Sequence, residues 1–471
     1  MDGHECTEIM FSQLERTNRL DAEFYKKKSL EIVDLLKSIS ATSLTDRVDV
    51  SDGNHMKISD KFIEKGIPYY RGQDIHHFFI EDANPICIDE ETYNGSFMQR
   101  SHLKKGDVLL SIVGTIGEVS LVSKDEKATC NCKLAILRPH NANESAIIAI
   151  YLKTKYGFDQ VDKFKRGAVQ MGYLLEDMNQ ILIPEFTTAL CGCINRAIDA
   201  VKSLTDQSNN KYAEAENLLL RKIGIDTTML TNGGVSVKSF LQVFGESSRL
   251  DAEYYQPKYD SLVASIKAIN HSELAKLVRI TKSIEPGSDA YRDEGVPFIR
   301  ISDISKFGIS EPDKYLEVGS EYDNPELYLK KDEILFSKDG SVGIAYKIEE
   351  DSQMISSSAL LHLEVLDKTT IFPDYLTTVL NSDVVQLQAE RDAGGSIIKH
   401  WKPKEIKEVL IPILDMETQK DIAAKVSESF GLRQKSKMLL EYTIDAMEMA
   451  IEKDETNAIK FLDERIKELT K

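Results

Sequence analysis

Arg19-Leu20-Asp21-Ala22-Glu23-Phe24-Tyr25 returns as Arg249-Leu250-Asp251-Ala252-Glu253-Tyr254-Tyr255, 230 positions further on. Two more matches follow in the same order. Gly66-Ile67-Pro68-Tyr69-Tyr70-Arg71 returns as Gly295-Val296-Pro297-Phe298-Ile299-Arg300, and Leu109-Leu110-Ser111 with Gly114 and Gly117 returns as Leu335-Phe336-Ser337 with Gly340 and Gly343. Ile183-Pro184 closes the first unit and Ile411-Pro412 the second. The offset drifts from 230 (19 to 249) to 226 (109 to 335) and back to 228 (183 to 411), so whole domains are duplicated with small loop insertions. Solenoid repeats run to roughly 20–50 residues, which this period excludes. Two heads that keep one skeleton and change their surface residues imply paired recognition of a two-part target.

Composition narrows the class. The chain has 471 residues, 42% of them hydrophobic, which suits a globular protein with real cores. No apolar run reaches the roughly 18 residues of a membrane span, and the polar start Met1-Asp2-Gly3-His4-Glu5 does not read as a signal peptide, so a cytoplasmic location is expected. Net charge is −18, from 59 basic and 77 acidic residues. That balance weighs against DNA binding, because duplex affinity rests largely on phosphate neutralisation. Either the basic residues gather on one face or a partner supplies positive surface. The cysteines form two Cys-x-Cys pairs, Cys130/Cys132 and Cys191/Cys193, tighter than structural zinc prefers. Ser356 and Ser358 stand where the first repeat has Cys130 and Cys132, so no metal is expected.

Each unit reads in the same sequence of elements. An entry segment (Ser12-Gln13-Leu14; Phe240-Leu241-Gln242) leads to the Arg-Leu-Asp motif and an amphipathic helix, with Leu30, Val33, Leu36 and Ile39 as its stripe in the first unit and Leu262, Ile266 and Ile269 in the second. Short apolar runs broken by Gly, Asp and Asn predict strands at roughly 45–140 and 275–365. One helix per unit is expected over 143–163 and 373–391, then a glycine-centred loop, a strand ending at Ile-Pro, and long helical tails at 186–224 and 416–468. Asp226 to Val237 reads as a linker. The domain boundaries expected are 1–155 for the first recognition domain, 156–235 for the first helical region and linker, 236–390 for the second recognition domain and 391–471 for the second helical region.

Catalytic templates are missing. The chain has no Gly-x4-Gly-Lys-[Ser/Thr] phosphate loop, no Gly-x-Gly-x-x-Gly after a strand, no Gly-x-Ser-x-Gly elbow and no His-Glu-x-x-His. His76-His77 has no counterpart in the second unit, where Ser305-Lys306 stands, and reads as a solvated loop. A binding protein is the better expectation.

The ordered set, present twice, resembles the specificity (S) subunit of type I restriction–modification systems: Arg-Leu-Asp-Ala-Glu-aromatic-Tyr, Gly-[Ile/Val]-Pro-aromatic-x-Arg-x-x-Asp-Ile, Lys-x-[Asp/Glu]-[Val/Ile]-Leu-[Leu/Phe]-Ser-x-x-Gly-x-x-Gly, and Ile-Pro before a long helix. Glu417-Thr418-Gln419 with Ile422 resembles the opening of that family's spacer helix, whereas Thr187 to Cys193 lacks the Glu and Gln. The resemblance implies an α/β (α+β) fold: two duplicated target-recognition domains separated by two long antiparallel coiled-coil-like helices, related by pseudo-two-fold symmetry. It implies a non-catalytic chain that reads a bipartite, asymmetric site in double-stranded DNA. Methyltransferase (M) subunits would dock on its helical regions, and restriction (R) subunits would join in some assemblies. No cofactor is expected on this chain; S-adenosylmethionine, ATP and Mg belong to the partner subunits. A type IIB-like or methylation-only system fits the same residues, and a duplicated protein–protein adaptor that never touches DNA remains open on the acidic charge.

Base reading calls for Arg or Lys at guanine, Asn or Gln at adenine and carboxylates at cytosine. Three loop sets carry such residues. The first is Arg71 and Gln73 with Arg300 and Ser302; here Arg71 and Arg300 read equally as ion pairs with Asp74 and Asp303. The second is the glycine turn, Ser111, Gly114 and Thr115 against Ser337, Lys338, Gly340 and Ser341, where small hydroxyls suit phosphate approach and a plain turn is the alternative. The third is the loop after the second helix, Lys165, Arg166, Gln170 and Tyr173 against Lys399, His400 and Trp401. Its aromatics serve either base stacking or loop anchoring.

Overall fold

The computed structural model describes residues 6–11, 19–63, 65–167, 171–225, 235–243, 249–395 and 399–471. Ser12-Gln13-Leu14 and positions 226–234 of the expected linker lie outside them. The chain divides into two compact units, Met1–Thr205 with Arg433–Lys471, and Asp206–Leu432. The division falls within both long helices, Thr188–Ile223 and Met416–Glu452.

Both units hold the same three sheets. In the first, an antiparallel sheet orders Val48–Asp52, Leu134–Pro139, Val108–Ser111 and Val119–Leu121. Val108–Ser111 is buried along its whole length, which explains its unbroken apolar run. The chain enters it through a turn: Asp107 bonds back to the Lys104 carbonyl, and Gly106 takes φ +93°. A smaller mixed sheet orders Phe62–Ile63, Ile86–Ile88, Ile67–Tyr70 and Thr129–Cys130, the last pair parallel. Finally Ala41–Ser43 pairs with Leu182–Pro184, so Ile-Pro closes the unit as a strand end.

The second unit repeats this with Val278–Lys282, Leu360–Val365, Ile334–Ser337 and Ala345–Lys347; with Tyr291–Arg292, Tyr315–Leu316, Val296–Ile299 and Ile355–Ser356; and with His271–Glu273 against Leu410–Pro412. It adds a hairpin, Ile304–Ser305 with Gly308–Ile309, where the first unit has His76-His77. Phe307 at its tip lies edge-on to Tyr212 and Phe430 of the two long helices, ring centres 5.5 and 5.7 Å apart. Those helices run antiparallel here: Ser208 meets Ser429, Lys211 meets Glu428 and Glu214 meets Lys425. The expected mixed α/β class with two duplicated, sheet-rich domains is borne out.

Three expectations need correction. The stretches 143–163 and 373–391 each form two helices, Ser145–Lys153 and Lys155–Lys163, then Pro373–Asn381 and Asp383–Asp392. Thr154 is extended, and its hydroxyl accepts from the Gly157 N–H at 3.2 Å, restarting the helix. Packing demands glycine at 157, since a Cβ there would lie 2.2 Å from the Tyr151 carbonyl oxygen. Ser382 is extended at the matching break, but its hydroxyl donates back to the Val379 carbonyl and caps no N–H. In the first amphipathic helix, Lys27–Ser38, the buried stripe is Ser29, Ile32 and Leu36, because three-residue steps drift off a 3.6-residue face. The last helical tail breaks once, after Glu452, and Asp454 caps the terminal helix Glu455–Leu469.

The repeated Arg-Leu-Asp motif has a structural cause. Asp21 holds the Arg19 guanidinium at two points, 2.8 and 2.5 Å, and aims it at the carbonyls of Lys163 and Lys165 where a helix ends. Asp251 holds Arg249 likewise against the carbonyls of Arg391 and Asp392. A cation at a helix C-terminus satisfies orphan carbonyls and opposes the negative end of the dipole. The long helices also start by different means. Gln419 is fully buried, accepting from Phe372 N–H and donating to the Thr370 and Leu414 carbonyls. In the first unit Glu455 of the terminal helix accepts from the Thr187 N–H at 3.1 Å, supplying the carboxylate missing from the local sequence.

Replacing Arg249 with Ala is expected to cost about 1–2 kcal/mol in urea unfolding, through lost capping of the Asp383–Asp392 helix. The Arg249 guanidinium holds the Asp251 carboxyl below its usual range. That contribution is complete above the ordinary Asp value of about 3.9 and fades as pH falls through the depressed folded value. The gap between wild type and R249A should therefore narrow as pH drops below about 4, leaving the part due to the carbonyl bonds; a gap independent of pH would contradict the pairing.

Candidate nucleic-acid interface

The three loop sets meet on one surface within each unit. In the first unit the glycine turn 111–117 bonds to the loop following the second helix: Gly114 N–H donates to the Met171 carbonyl at 3.1 Å and Tyr173 N–H to the Ile112 carbonyl at 2.8 Å. That loop is itself pinched, Arg166 and Gly172 exchanging both backbone bonds at 2.9 and 2.7 Å. The Arg71 turn joins from the other side, since a Cβ on Gly72 would lie 3.7 Å from the Val113 carbonyl oxygen. In the second unit Gly340 N–H donates to the Lys399 carbonyl and Trp401 N–H to the Lys338 carbonyl, both at 2.8 Å. Gly394 and His400 form the matching pinch, and a Cβ on Gly340 would touch Ile301 at 3.7 Å.

A fourth segment, absent from the sequence reading, ties the others together. Ile112 N–H donates to the Lys133 carbonyl and Asn131 N–H to the Tyr70 carbonyl; Lys338 N–H donates to the Ala359 carbonyl and Ser357 N–H to the Ile299 carbonyl. The turns 130–133 and 356–359 therefore link the first and second sets. A signal existed, because Cys130 and Cys132 align with Ser356 and Ser358 and set Lys133 against Ala359 one residue later.

Several candidate side chains face inward. Ser111 has no exposed surface, and its hydroxyl accepts from the Glu118 N–H at 2.8 Å. Ser337 is equally buried, accepting from Ile344 N–H and donating to the Ser341 carbonyl. Both hydroxyls close the glycine turn and are buried out of a phosphate's reach, a correction to their reading as contacts. Tyr173 and Trp401, at equivalent positions, are 4% and 1% exposed. Trp401 packs on Phe336 with ring centres 5.7 Å apart, and Tyr173 lies edge-on to Phe164. They anchor the loop, and neither offers a face to a base. Gln170 lies outside the described residues.

Most of the cations are paired at home. Arg71 donates through Nε and Nη2 to Asp74 at 3.0 and 3.2 Å, and Arg300 pairs with Asp303 and Asp313. Lys165 pairs with Asp162, Lys338 with Asp339, and His400 Nδ1 lies 2.8 Å from Asp339. Arg166 reaches Asp177 at 2.5 Å, yet burial pushes the Asp177 carboxyl above its usual range, so this pair anchors the loop at some electrostatic cost. Gln73, Gly114, Thr115, Ser302, Ser341, Lys399 and His400 remain exposed, as does Lys133.

One buried arrangement imitates catalytic geometry. His362 Nε2 lies 2.6 Å from Ser356 Oγ and its Nδ1 3.0 Å from Glu333. Ser356 has no exposed surface, so the network serves strand packing and no substrate can reach it. Among the described residues no group of His, Cys, Asp and Glu is arranged to hold a metal. All six cysteines are unbridged, and burial, reinforced by Asp463, pushes the Cys193 thiol up to about 11. No described helix is long and apolar enough to cross a membrane.

Residues 268–436 match the family described as the type I restriction modification DNA specificity domain. That match covers about a third of the chain, most of it in the second unit, and agrees with the resemblance read from the sequence. The structure is similar to a type I restriction–modification S subunit from M. genitalium (12% identity, 91% of this chain and 95% of that one, TM-score 0.32). It is also similar to the HsdS subunit from Thermoanaerobacter tengcongensis (13% identity, 91% and 95% coverage, TM-score 0.27). A third similar chain comes from work on complex assembly and conformational transition of the type I R-M system (13% identity, 90% and 97% coverage, TM-score 0.29). No curated protein matches.

Gly114 sits at φ +88° with open space around a would-be Cβ, so its glycine answers to backbone conformation alone. Gly114→Ala should cost about 1–2 kcal/mol, the left-handed penalty. Thermal unfolding checks it; a neutral variant would contradict the turn geometry.

Proposed function

We propose that this chain is the DNA sequence-specificity subunit of a type I restriction–modification complex. One recognition surface per unit reads one half of a bipartite, asymmetric site in double-stranded DNA, and M subunits, with R subunits in some assemblies, dock on the helical regions. The chain does no catalysis and binds no cofactor; S-adenosylmethionine, ATP and Mg act on its partners in the cytoplasm. One observation carries the reading. The same converging loops are built twice on the same sheets, while the exposed residues differ: Gln73 against Ser302 and Thr115 against Ser341. Shared residues hold the surface and differing ones read two different half-sites.

The net charge of −18 and the paired cations favour a second reading, a duplicated protein–protein adaptor. Mobility-shift assays on double-stranded DNA with and without the M subunit separate the two. Shifts that require this chain support the specificity subunit; no shift in either case supports the adaptor.

Mapping methylated bases across the host genome should give a split motif, two short defined blocks with free positions between them, that vanishes when this chain is deleted. A continuous palindrome, or a motif that survives deletion, contradicts the reading. The same map with methylation but no restriction of unmodified DNA would mark a methylation-only system.

A further inference from the structure

The cations at the converging loops differ in one respect that their positions alone do not reveal. In the first unit, over 71–74, 111–117, 130–133 and 164–173, Arg71, Lys165 and Arg166 each have a carboxylate partner. In the second, over 300–303, 337–343, 356–359 and 394–402, so do Arg300, Lys338, His400 and Lys402. Among the described residues only Lys133 and Lys399 in these segments are exposed and make no ion pair. They are not equivalent. Lys133 stands on the turn after Cys130, where the second unit has Ala359; Lys399 stands on the loop after the helix Asp383–Asp392.

The exchange is matched by a second one beside it. The Lys133 stem lies over Gly72, its Cβ and Cδ 3.4 and 3.8 Å from where a Cβ at 72 would be. The counterpart of Gly72 is Ile301, whose side chain reaches toward Gly340. Gly72 with Lys133 in one unit is thus replaced by Ile301 with Ala359 in the other. The small residue leaves room for the lysine stem, and where lysine is absent the larger Ile301 packs toward Gly340 instead.

We propose that Lys133 and Lys399 are the phosphate anchors of the two recognition surfaces, one per unit and on different loops. This rests on the specificity-subunit reading. A paired cation must give up its carboxylate to neutralise a phosphate, and the attraction gained is offset by the one lost. An unpaired, solvated ammonium releases a DNA counterion with no such exchange. Each anchor carries no sequence information and fixes how its surface sits on the duplex, leaving Gln73, Thr115, Ser302 and Ser341 to face base edges.

The test uses the full chain assembled with its M subunits and a fluorescent mixed-sequence duplex, with binding followed by anisotropy across salt concentrations. Lys133→Gln and Lys399→Gln should each lower the slope of log affinity against log salt by about 0.9, and the double variant by about 1.8. Between about 50 and 200 mM salt the affinity ratio of wild type to each single variant should shrink roughly three- to fourfold. Lys467→Gln on the terminal helix should leave the slope unchanged. The methylation motif should keep its bases in both single variants. Wild-type binding with unaltered slopes in K133Q and K399Q overturns the assignment alone. A wild-type complex that holds no duplex at low salt overturns the specificity-subunit reading and the anchors with it. A changed methylation motif would make these residues base readers and also overturn the proposal.

Discussion

Two backbone hydrogen bonds per unit hold the rest together: the glycine turn donates to the loop that follows the second helix, and that loop donates back. Gly114 to Met171 and Tyr173 to Ile112 in one unit become Gly340 to Lys399 and Trp401 to Lys338 in the other. Because main chain rather than side chain makes these bonds, the surrounding residues are free to change without losing the surface. Tyr173 and Trp401 complete the joint by burying an aromatic ring beneath it, two different rings in one structural role. A scaffold of this kind fixes where loop tips sit and leaves open what they carry. That property is what the proposed reading of two different half-sites requires.

Electrostatics follow from the same economy of parts. Loops rich in glycine and small residues are stiffened here by local ion pairs, Arg71 with Asp74 and Arg166 with Asp177, and each pair removes one positive charge from the outward field. The acidic balance of the chain and the internal pairing of its loop cations therefore describe one condition. Under it, affinity for a polyanion comes from a few unpaired groups and from whatever positive surface a partner contributes. Specificity and affinity are then separable, and the chain is suited to supply mainly the first.

Much of this was legible in the residues. The duplication, the strand–turn pattern around Val108 and Val119, and the Ile-Pro closure are local or repetitive signals, and the structure follows them. Other features were illegible because their causes are distant in sequence. Thr187 starts a helix with help from Glu455, and Arg19 caps a helix ending at Lys163. The breaks at Thr154 and Ser382 escaped because apolar periodicity runs through them; at the first, a hydroxyl cap and the close approach of Gly157 to Tyr151 decide the backbone, and at the second Ser382 is extended without a side-chain cap. Among the site residues, type alone misled at Ser111, Ser337, Tyr173 and Trp401: hydroxyls and aromatics suited to DNA are equally suited to closing a turn and filling a core. Burial decided against them, and burial depends on partners that no single segment contains.

Hydrogen–deuterium exchange on the assembled complex, with and without bound duplex, addresses the central idea most directly: that each unit presents one surface made of loops far apart in sequence. DNA should slow exchange together at 111–117, 130–133 and 171–173, and together at 337–343, 356–359 and 399–401, while the sheets beneath them stay as they were. Protection confined to the long helices, or to one loop of a set without the others, would contradict it.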